Sequence, residues 1–174
     1  IHDEKALGKI FGELQKEFRL KYVSVALPDE KIYLFKTEIP RTAALNIRES
    51  IEFKIEDNVP VPVGEAVFDY SLVAHDEVGA DHLDVVVSVA PEEVVNAYTS
   101  ALTLGNLIPL TLEVESRSIA KAVIGRGDKH SLLILNIEKN KTGLYVVHEG
   151  VVYFTSAVPT GINSLDPSSP KNIS

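Results

Sequence analysis

The chain contains no cysteine, no methionine and no tryptophan among its 174 residues. Without cysteine it can form neither a disulfide nor a thiolate metal site, and it has no thiol nucleophile. This composition fits a cytosolic protein. The sequence also has no apolar run that approaches the roughly 20 residues of a membrane-spanning helix, and it has no signal-peptide pattern. We therefore expect any link to a membrane to pass through a partner.

Positive charge is scarce, with 17 lysine and arginine residues against 25 acidic residues and a net charge of −8. An acidic surface repels phosphate, which argues against nucleic acid as a partner and leaves room for a basic peptide. The apolar content of 45% is sufficient for a packed core in one domain or two small ones. Because the sequence opens at Ile1 without methionine, we expect a fragment, a processed chain or an excised domain.

Catalytic and metal-binding patterns are also lacking. Of the five histidines, only His82, beside Asp81 and Asp84, has carboxylates at a spacing that could ligate a metal, and a solvated loop explains that group better than a metal site. No Ser-His-Asp arrangement and no carboxylate pair can be argued from the spacing. We therefore expect neither a catalytic residue nor a metal in this chain.

The residue pattern predicts a mixed α/β fold with antiparallel hairpins and not a doubly wound sheet. Helix 1 should begin at an N-cap, Asp3, and bury an apolar face. The apolar face of that helix consists of Leu7, Ile10, Phe11, Leu14 and Phe18. The predicted elements that follow are a buried strand over 21–28, a strand over 31–39 (its hairpin partner or the next strand), a helix over 45–57, a strand over 67–74, a loop over 75–82, a strand over 84–90, a helix from Pro91 to a cap at Gly105, a strand over 109–114, a short helix capped by Ser116, strands over 131–137, 142–148 and 151–157, and a tail over 164–174.

Residues 47–73 are the most informative segment. Ile47, Ile51 and Ile55 recur every four residues and predict one apolar helix face, and the Val-Pro-Val-Pro run ends that helix near Asn58. Phe53 lies two residues away from this face, so its ring should point to a different side. It is either a second packing surface or a contact for a partner, and both interpretations remain open.

Three segments together resemble the PilM family, the cytoplasmic actin-like proteins of type IV pilus assembly. They are the helix, Pro-x-Pro and strand of 47–73, the strand, "P-x-E-x-V" helix, Gly turn, strand and helix of 88–123, and the strands of 131–161. In that family an aromatic residue stands where Phe53 stands, and the pattern closes on a proline that matches Pro60. The resemblance implies part of an actin-like 1A subdomain, residues 1–27 and 107–174, with an inserted 1C subdomain of the SHS2 type, residues 28–106.

The resemblance also implies a function, that of a non-enzymatic scaffold or adaptor of type IV pilus or competence machinery. Family members lie at the inner face of the cytoplasmic membrane and grip the N-terminal cytoplasmic tail of PilN in a cleft between 1A and 1C. The candidate groove residues here are Phe53, Val59, Pro60 and Val61, although Val59 and Val61 could instead pack the 1C core. A pilus motor ATPase or another inner-membrane assembly protein is a further candidate partner.

The segment 135–142, LNIEKNKT, resembles the second phosphate loop of the actin-like superfamily, an Asp-x-Gly followed by Thr or Ser. Here Asn136 replaces the aspartate, Glu138 replaces the glycine, and Thr142 matches. Asparagine lacks the charge that organises a hydrated Mg²⁺, and glutamate adds bulk and negative charge beside a polyanion. We therefore expect no cofactor in this chain. The resemblance leaves ATP and Mg²⁺ open only for a longer chain, because it places the first phosphate loop before residue 1 and the adenosine-binding half after residue 174.

Two alternative functions remain beside the adaptor. The first is an actin-like ATP-binding protein that hydrolyses ATP or forms filaments. The second is a related scaffold, either an FtsA-like division protein or the cytoplasmic domain of a GspL-like secretion protein. An FtsA-like protein would carry a C-terminal amphipathic membrane helix, and a GspL-like protein would carry a transmembrane span after the domain.

Overall fold

The computed structural model describes residues 3–41, 46–73 and 81–165. Helices are interspersed with single strands and with runs of consecutive strands along these ranges, and short 3₁₀ turns lie at Asp29–Lys31 and Val63–Glu65. The helices are α1 Glu4–Phe18, α2 Ile47–Asn58, α3 Glu92–Leu104, α4 Glu115–Val123 and α5 Ile162–Leu165. The strands are β1 Tyr22–Leu27, β2 Tyr33–Pro40, β3 Ala66–Leu72, β4 His82–Pro91, β5 Ile108–Val114, β6 Ser131–Ile137, β7 Thr142–His148 and β8 Val151–Val158.

The strands form three small sheets in the described part of the chain. β1 and β5 pair in parallel, while β2, β4 and β3 form an antiparallel sheet in that order, and β6, β7 and β8 form another. This arrangement confirms the predicted mixed α/β class. Of the two placements left open for β2, the hairpin with β1 is wrong, since β2 pairs with β4. The predicted loop over 75–82 lies mostly outside the described residues, and its last residue, His82, opens β4.

The main core lies between α2 and the β2-β4-β3 sheet. Ile51 and Ile55 of α2 are fully buried against Val85, Val87 and Val89, which alternate along β4 and therefore point to one face of the sheet. The predicted isoleucine face of α2 is thus confirmed. Burying each such side chain contributes about 1.5–3 kcal/mol, so this interface holds α2 on the sheet.

Helix α1 begins as predicted, since the Asp3 carboxylate accepts a hydrogen bond from the backbone amide of Ala6 at 2.9 Å. Its predicted apolar face is wrong in part, because Ile10, Leu14 and Phe18 remain exposed. The helix contacts α3 near Gly8, where an added Cβ would lie 2.7 Å from the Cβ of Leu104. Such close approach needs a small residue, and Gly8 supplies it.

Three other predictions need correction. β1 is not a buried strand, since Leu27 is its one buried residue and, within the ranges that the structure describes, β5 is its one partner. Pro91 is the N-cap of α3 and not its first helical residue. Ser116 is not the cap of α4, because Val114 holds that position and Ser116 lies in the first turn. The predicted cap at Gly105 and the turn at Glu149 and Gly150 are confirmed; the latter two have φ angles of 49° and 77°.

A second core links the two antiparallel sheets. Tyr145, Val147 and Val152 of the β6-β7-β8 sheet pack with Ala120 of α4, and Leu34 of β2 packs against this group. The two sheets therefore face each other across β2 and β8. None of the helices in the described ranges combines the length and the apolar character that crossing a bilayer requires. The subdomain boundaries at residues 27, 28, 106 and 107 stay a prediction.

Candidate functional site

The four predicted groove residues do not form one surface. Phe53 projects from α2 and is 72% exposed, away from the sheet that α2 covers. Val59 is 6% exposed and belongs to the α2 core, so its side chain is not available to a ligand. Pro60 and Val61 line an open groove that also contains Tyr33. Pro60 and Val61 thus lie on one surface, while Val61 also packs against the core that contains Val59.

A different depression lies where the two antiparallel sheets meet, and we call it the inter-sheet cleft. One wall comes from the face of the β2-β4-β3 sheet opposite α2, and the other comes from the start of α4 and from β8. Residues that line it include Leu34, Ser71 and Ser88 on the first wall and Ser116, Arg117 and Val152 on the second.

Sequence analysis missed the cleft because its residues come from segments far apart in the chain. The alternation of β4 carried a usable signal, since Val86 and Ser88 point away from α2 while Val85, Val87 and Val89 point toward it. A strand with apolar residues on both faces is covered on both sides, so a second packing element was to be expected there.

Arg117 joins the two walls of the inter-sheet cleft. Its Nη1 lies 2.8 Å from Asp69 Oδ2 on β3, and its Nε lies 3.2 Å from Glu113 Oε1 on β5. The guanidinium is planar and presents several donors in fixed directions, so it can contact both carboxylates at once. The Arg117 pairs thus connect α4 with β3 and β5 beside the cleft.

A separate cluster of polar side chains lies on the face of the β2-β4-β3 sheet opposite α2. Oxygen and nitrogen atoms of Glu38, His82 and Asp84 lie within 4.8 Å of one another, a set that could hold a metal ion. However, Lys36 Nζ lies 2.6 Å from Asp84 Oδ2, so an ammonium group already neutralises this carboxylate. The Asp81 carboxylate contacts His82 Nδ1 at 3.0 Å and raises the pKa of the imidazole. The absence of a metal stays a prediction.

The residues of the second-phosphate-loop segment lie at the β6–β7 hairpin. Asn136 Nδ2 donates to Glu138 Oε1 at 3.1 Å, so the two replaced positions contact each other. Lys141 Nζ lies 2.8 Å from Glu30, 3.3 Å from Glu138 and 3.5 Å from Glu115. Three carboxylates thus surround one ammonium group, which leaves an excess of negative charge at this hairpin.

The pKa values of this cluster show how the charges are balanced. The hydrogen bond from Lys141 lowers the pKa of Glu30. Burial raises the pKa of Glu115, and the positive charge of Lys141 only partly offsets it. Burial also lowers the pKa of Lys141, but the hydrogen bond to Glu30 and the charge of Glu115 outweigh it, so the pKa of Lys141 lies well above its usual value. The Lys141 ammonium group is therefore held by its carboxylate partners.

The chain after β8 closes over the same hairpin. The backbone amides of Ile162 and Asn163 donate to the carbonyls of Glu138 and Lys139 at 2.8 and 3.0 Å. The hydroxyl of Thr142, the one residue that matches the phosphate-loop pattern, donates to the carbonyl of Thr160 at 2.6 Å. Several polar atoms of this hairpin are thus already hydrogen-bonded to the segment that follows β8.

Comparison with known families gives a match over residues 1–166 to the model of the type IV pilus assembly protein PilM. The chain belongs to the PilM family. This confirms the resemblance seen in the sequence and the association with type IV pilus assembly. A search of curated proteins found no match to this chain.

Solved structures show the same fold at low sequence identity. The chain is similar to a structure of the PilM-PilN type IV pilus biogenesis complex, with a TM-score of 0.74, 23% identity, and coverage of 90% of this chain and 48% of that one. It is also similar to the cytoplasmic domain of EpsL, an inner membrane component of the type II secretion system of Vibrio cholerae. That match has a TM-score of 0.60, 16% identity, and coverage of 87% and 56%. The chain therefore spans about half the length of these structures.

Proposed function

We propose that this chain is the peptide-binding part of a non-enzymatic scaffold of type IV pilus assembly. It would bind the N-terminal tail of a PilN-like membrane protein at the inner face of the cytoplasmic membrane. The observation that carries the proposal is the family match together with the likeness to a PilM-PilN complex; we place the tail across the mouth of the inter-sheet cleft, a small depression of about 30 Å³ with hydrogen-bonding residues on its walls. The match to a PilM-PilN complex supports the choice of partner.

The chemistry of the cleft suits an extended peptide. Leu34 and Val152 pack within the second core, so the groups that can reach a peptide are the hydroxyls of Ser71 and Ser88 and the guanidinium of Arg117, which offer hydrogen bonds. β3 lies at the edge of its sheet, so backbone groups on its outer side are open to an added strand. Backbone pairing would supply affinity and the side-chain contacts would supply specificity.

The second-loop hairpin supports a role without nucleotide. Binding of ATP there would bring a polyanion beside Glu30, Glu115 and Glu138, with one ammonium already paired to them. Like charges at such distances in a partly buried site are strongly unfavourable. The cytoplasmic location and the absence of catalysis remain parts of this proposal, and the actin-like ATPase and the secretion scaffold remain its rivals.

Isothermal titration calorimetry tests the proposal with two ligands. The first is a peptide that copies the cytoplasmic tail of the PilN-like protein from the same organism, and the second is ATP with Mg²⁺. We expect saturable binding of the tail and no heat with ATP. Ser71→Trp should abolish tail binding because the indole fills the cleft, whereas Ser156→Trp, an exposed position on β8 outside the cleft, should not. ATP binding without tail binding would favour the actin-like ATPase.

A further inference from the structure

We infer that the Lys141 ammonium group is an internal cation that locks the β6–β7 hairpin to the turn after β1 and to α4, in a position that a divalent cation could otherwise occupy. The lock consists of Lys141 with Glu30, Glu115 and Glu138, and we call these four residues the Lys141 cluster. The inference concerns how the chain holds its own structure, and it does not depend on the proposed tail site.

The Lys141 cluster joins segments that are distant in the sequence. Glu30 lies in the 3₁₀ turn after β1, Glu115 opens α4, and Glu138 lies in the connection between β6 and β7. Lys141 Nζ lies within 3.5 Å of a carboxylate oxygen of each of them. Glu30 is 111 positions away from Lys141 in the chain. One ammonium group therefore holds the hairpin against both the turn and the helix.

The lock acts at one end of the β6-β7-β8 sheet, and the second core acts at the other end. Val147 and Val152, beside the β7–β8 turn, are buried in that core, whereas Lys141 directly precedes the first residue of β7. The segment after β8 is fastened to the same hairpin, because the backbone amide of Ile162 donates to the carbonyl of Glu138. Loss of the ammonium should therefore loosen the hairpin and this segment together.

The carboxylates of the cluster need a cation between them. Without the ammonium, three like charges would face one another in a partly buried site, which is strongly unfavourable. Carboxylate oxygens are the ligands that Ca²⁺ prefers, and its coordination geometry is flexible. In the unmodified chain the lysine fills this position, and it cannot dissociate because it is part of the backbone's own chain. The lock is therefore closed without a bound metal, and removal of Lys141 should uncover a cation site.

Thermal unfolding of the whole chain, with Ca²⁺ as the probe, tests this inference. Lys141→Ala should lower the Tm by about 4 °C or more. Millimolar Ca²⁺ at constant ionic strength should raise the Tm of Lys141→Ala and leave that of the unmodified chain unchanged. Lys139→Ala is the matched control, since it removes an exposed lysine from the same hairpin and should change the Tm little, with or without Ca²⁺. Adding Glu115→Gln to Lys141→Ala should abolish the response to Ca²⁺.

Two further measurements separate the lock from general stability. Hydrogen exchange at the amide of Ile162 should be faster in Lys141→Ala than in Lys139→Ala, and Ca²⁺ should slow it again. The double variant Glu30→Lys, Lys141→Glu keeps the same charges within the cluster and serves if Lys141→Ala does not fold. It should unfold at a higher temperature than Lys141→Glu alone, and a lower temperature would overturn the inference.

The Ca²⁺ titration can also overturn it. Equal losses of stability in Lys141→Ala and Lys139→Ala would show that the cluster locks nothing. Equal stabilisation of the unmodified chain and of Lys141→Ala by Ca²⁺ would show that the ammonium does not occupy the cation position. Failure of Ca²⁺ to stabilise Lys141→Ala would show that the three carboxylates do not form such a position. Tail binding enters none of these readouts, so their failure is distinct from a failure of the proposed function.

Discussion

The Asp29 carboxylate accepts two hydrogen bonds from Ser116, one from the hydroxyl at 2.6 Å and one from the backbone amide at 2.9 Å. The two residues are 87 positions apart in the chain. Asp29 thus satisfies an amide in the first turn of α4, as a helix cap would, but from a distant segment. This contact fastens the turn after β1 to the wall of the inter-sheet cleft that contains Ser116 and Arg117.

Asp29→Ala should destabilise the fold. The substitution leaves the largely buried Ser116 hydroxyl and an amide at the start of α4 without their acceptor, which costs about 1–3 kcal/mol. Urea unfolding followed by circular dichroism measures the change. Asp3→Ala is the matched control, since it removes an exposed cap at the start of α1 and should cost about 1 kcal/mol. Equal, small effects of both variants would contradict the anchoring role of Asp29.

Glu30→Gln and Glu115→Gln should change stability in opposite directions at pH 7, although both residues contact Lys141. The pKa of Glu30 is lowered in the folded chain, so its charge stabilises and the glutamine variant should be less stable. The pKa of Glu115 is raised by burial, so its charge opposes folding and the glutamine variant should be as stable or more stable. Thermal unfolding of both variants measures these changes. A loss of stability in both would contradict the raised pKa of Glu115.

The stability contributed by Glu115 should also depend on pH with a defined sign. Because its folded pKa is above the usual 4.5, the folded chain binds more protons than the unfolded chain just above that pH. The contribution of Glu115 therefore decreases as pH rises from 4.5 through the folded pKa. The difference in unfolding free energy between Glu115→Gln and the unmodified chain should grow over this interval. A difference that shrinks with rising pH would show that the pKa is lowered instead.

Gly161→Ala should disrupt the closure over the β6–β7 hairpin. An added Cβ would lie 2.7 Å from both Asn140 N and Lys139 C, and nearer still to the carbonyl oxygen of Glu138. These are backbone atoms that cannot rotate away, so a loss of about 1–3 kcal/mol is expected. Gly125→Ala is the control, since an added Cβ there meets nothing within 4 Å and should leave stability nearly unchanged. Similar unfolding midpoints for the two variants would contradict the close packing at Gly161.

Phe53→Ala and Val59→Ala should change the stability of the fold to different extents, because one side chain is exposed and the other is buried. Phe53 is 72% exposed, so its loss should change stability by less than about 0.5 kcal/mol. Val59 packs in the α2 core, so its truncation should cost about 2 kcal/mol. Chemical unfolding of the two variants makes the comparison. If Phe53→Ala proves the more destabilising, the ring packs on the chain and is not free for a partner.

Local patterns in the sequence were enough for most elements of the fold. The Asp3 cap, the isoleucine face of α2 and the Glu149–Gly150 turn are each set by interactions between residues close in the chain. Pairing between distant segments was not readable in the same way. β2 pairs with β4 and not with its neighbour in the chain, β1, a choice that neither strand encodes alone.

The site was less predictable than the fold for the same reason. Val59 and Val61 have equal hydrophobicity and stand two residues apart, yet Val59 is buried in the core whereas Val61 packs at its border and also lines the groove with Tyr33 and Pro60. The turn at the two prolines decides their directions, and the helical period ends there. The Asn136 and Glu138 replacements, by contrast, predicted an unfavourable phosphate site from charge alone, and the contacts of Lys141 support that proposal.

Titration of the PilN-like tail peptide into this chain and into its Ser71→Trp variant tests the central claim most directly. The account predicts saturable binding to the unmodified chain, retained binding in Ser156→Trp, and no binding in Ser71→Trp, with all three proteins equally folded by circular dichroism. Tail binding that survives Ser71→Trp would contradict the placement in the inter-sheet cleft. Absence of tail binding by the folded, unmodified chain would contradict the adaptor function itself.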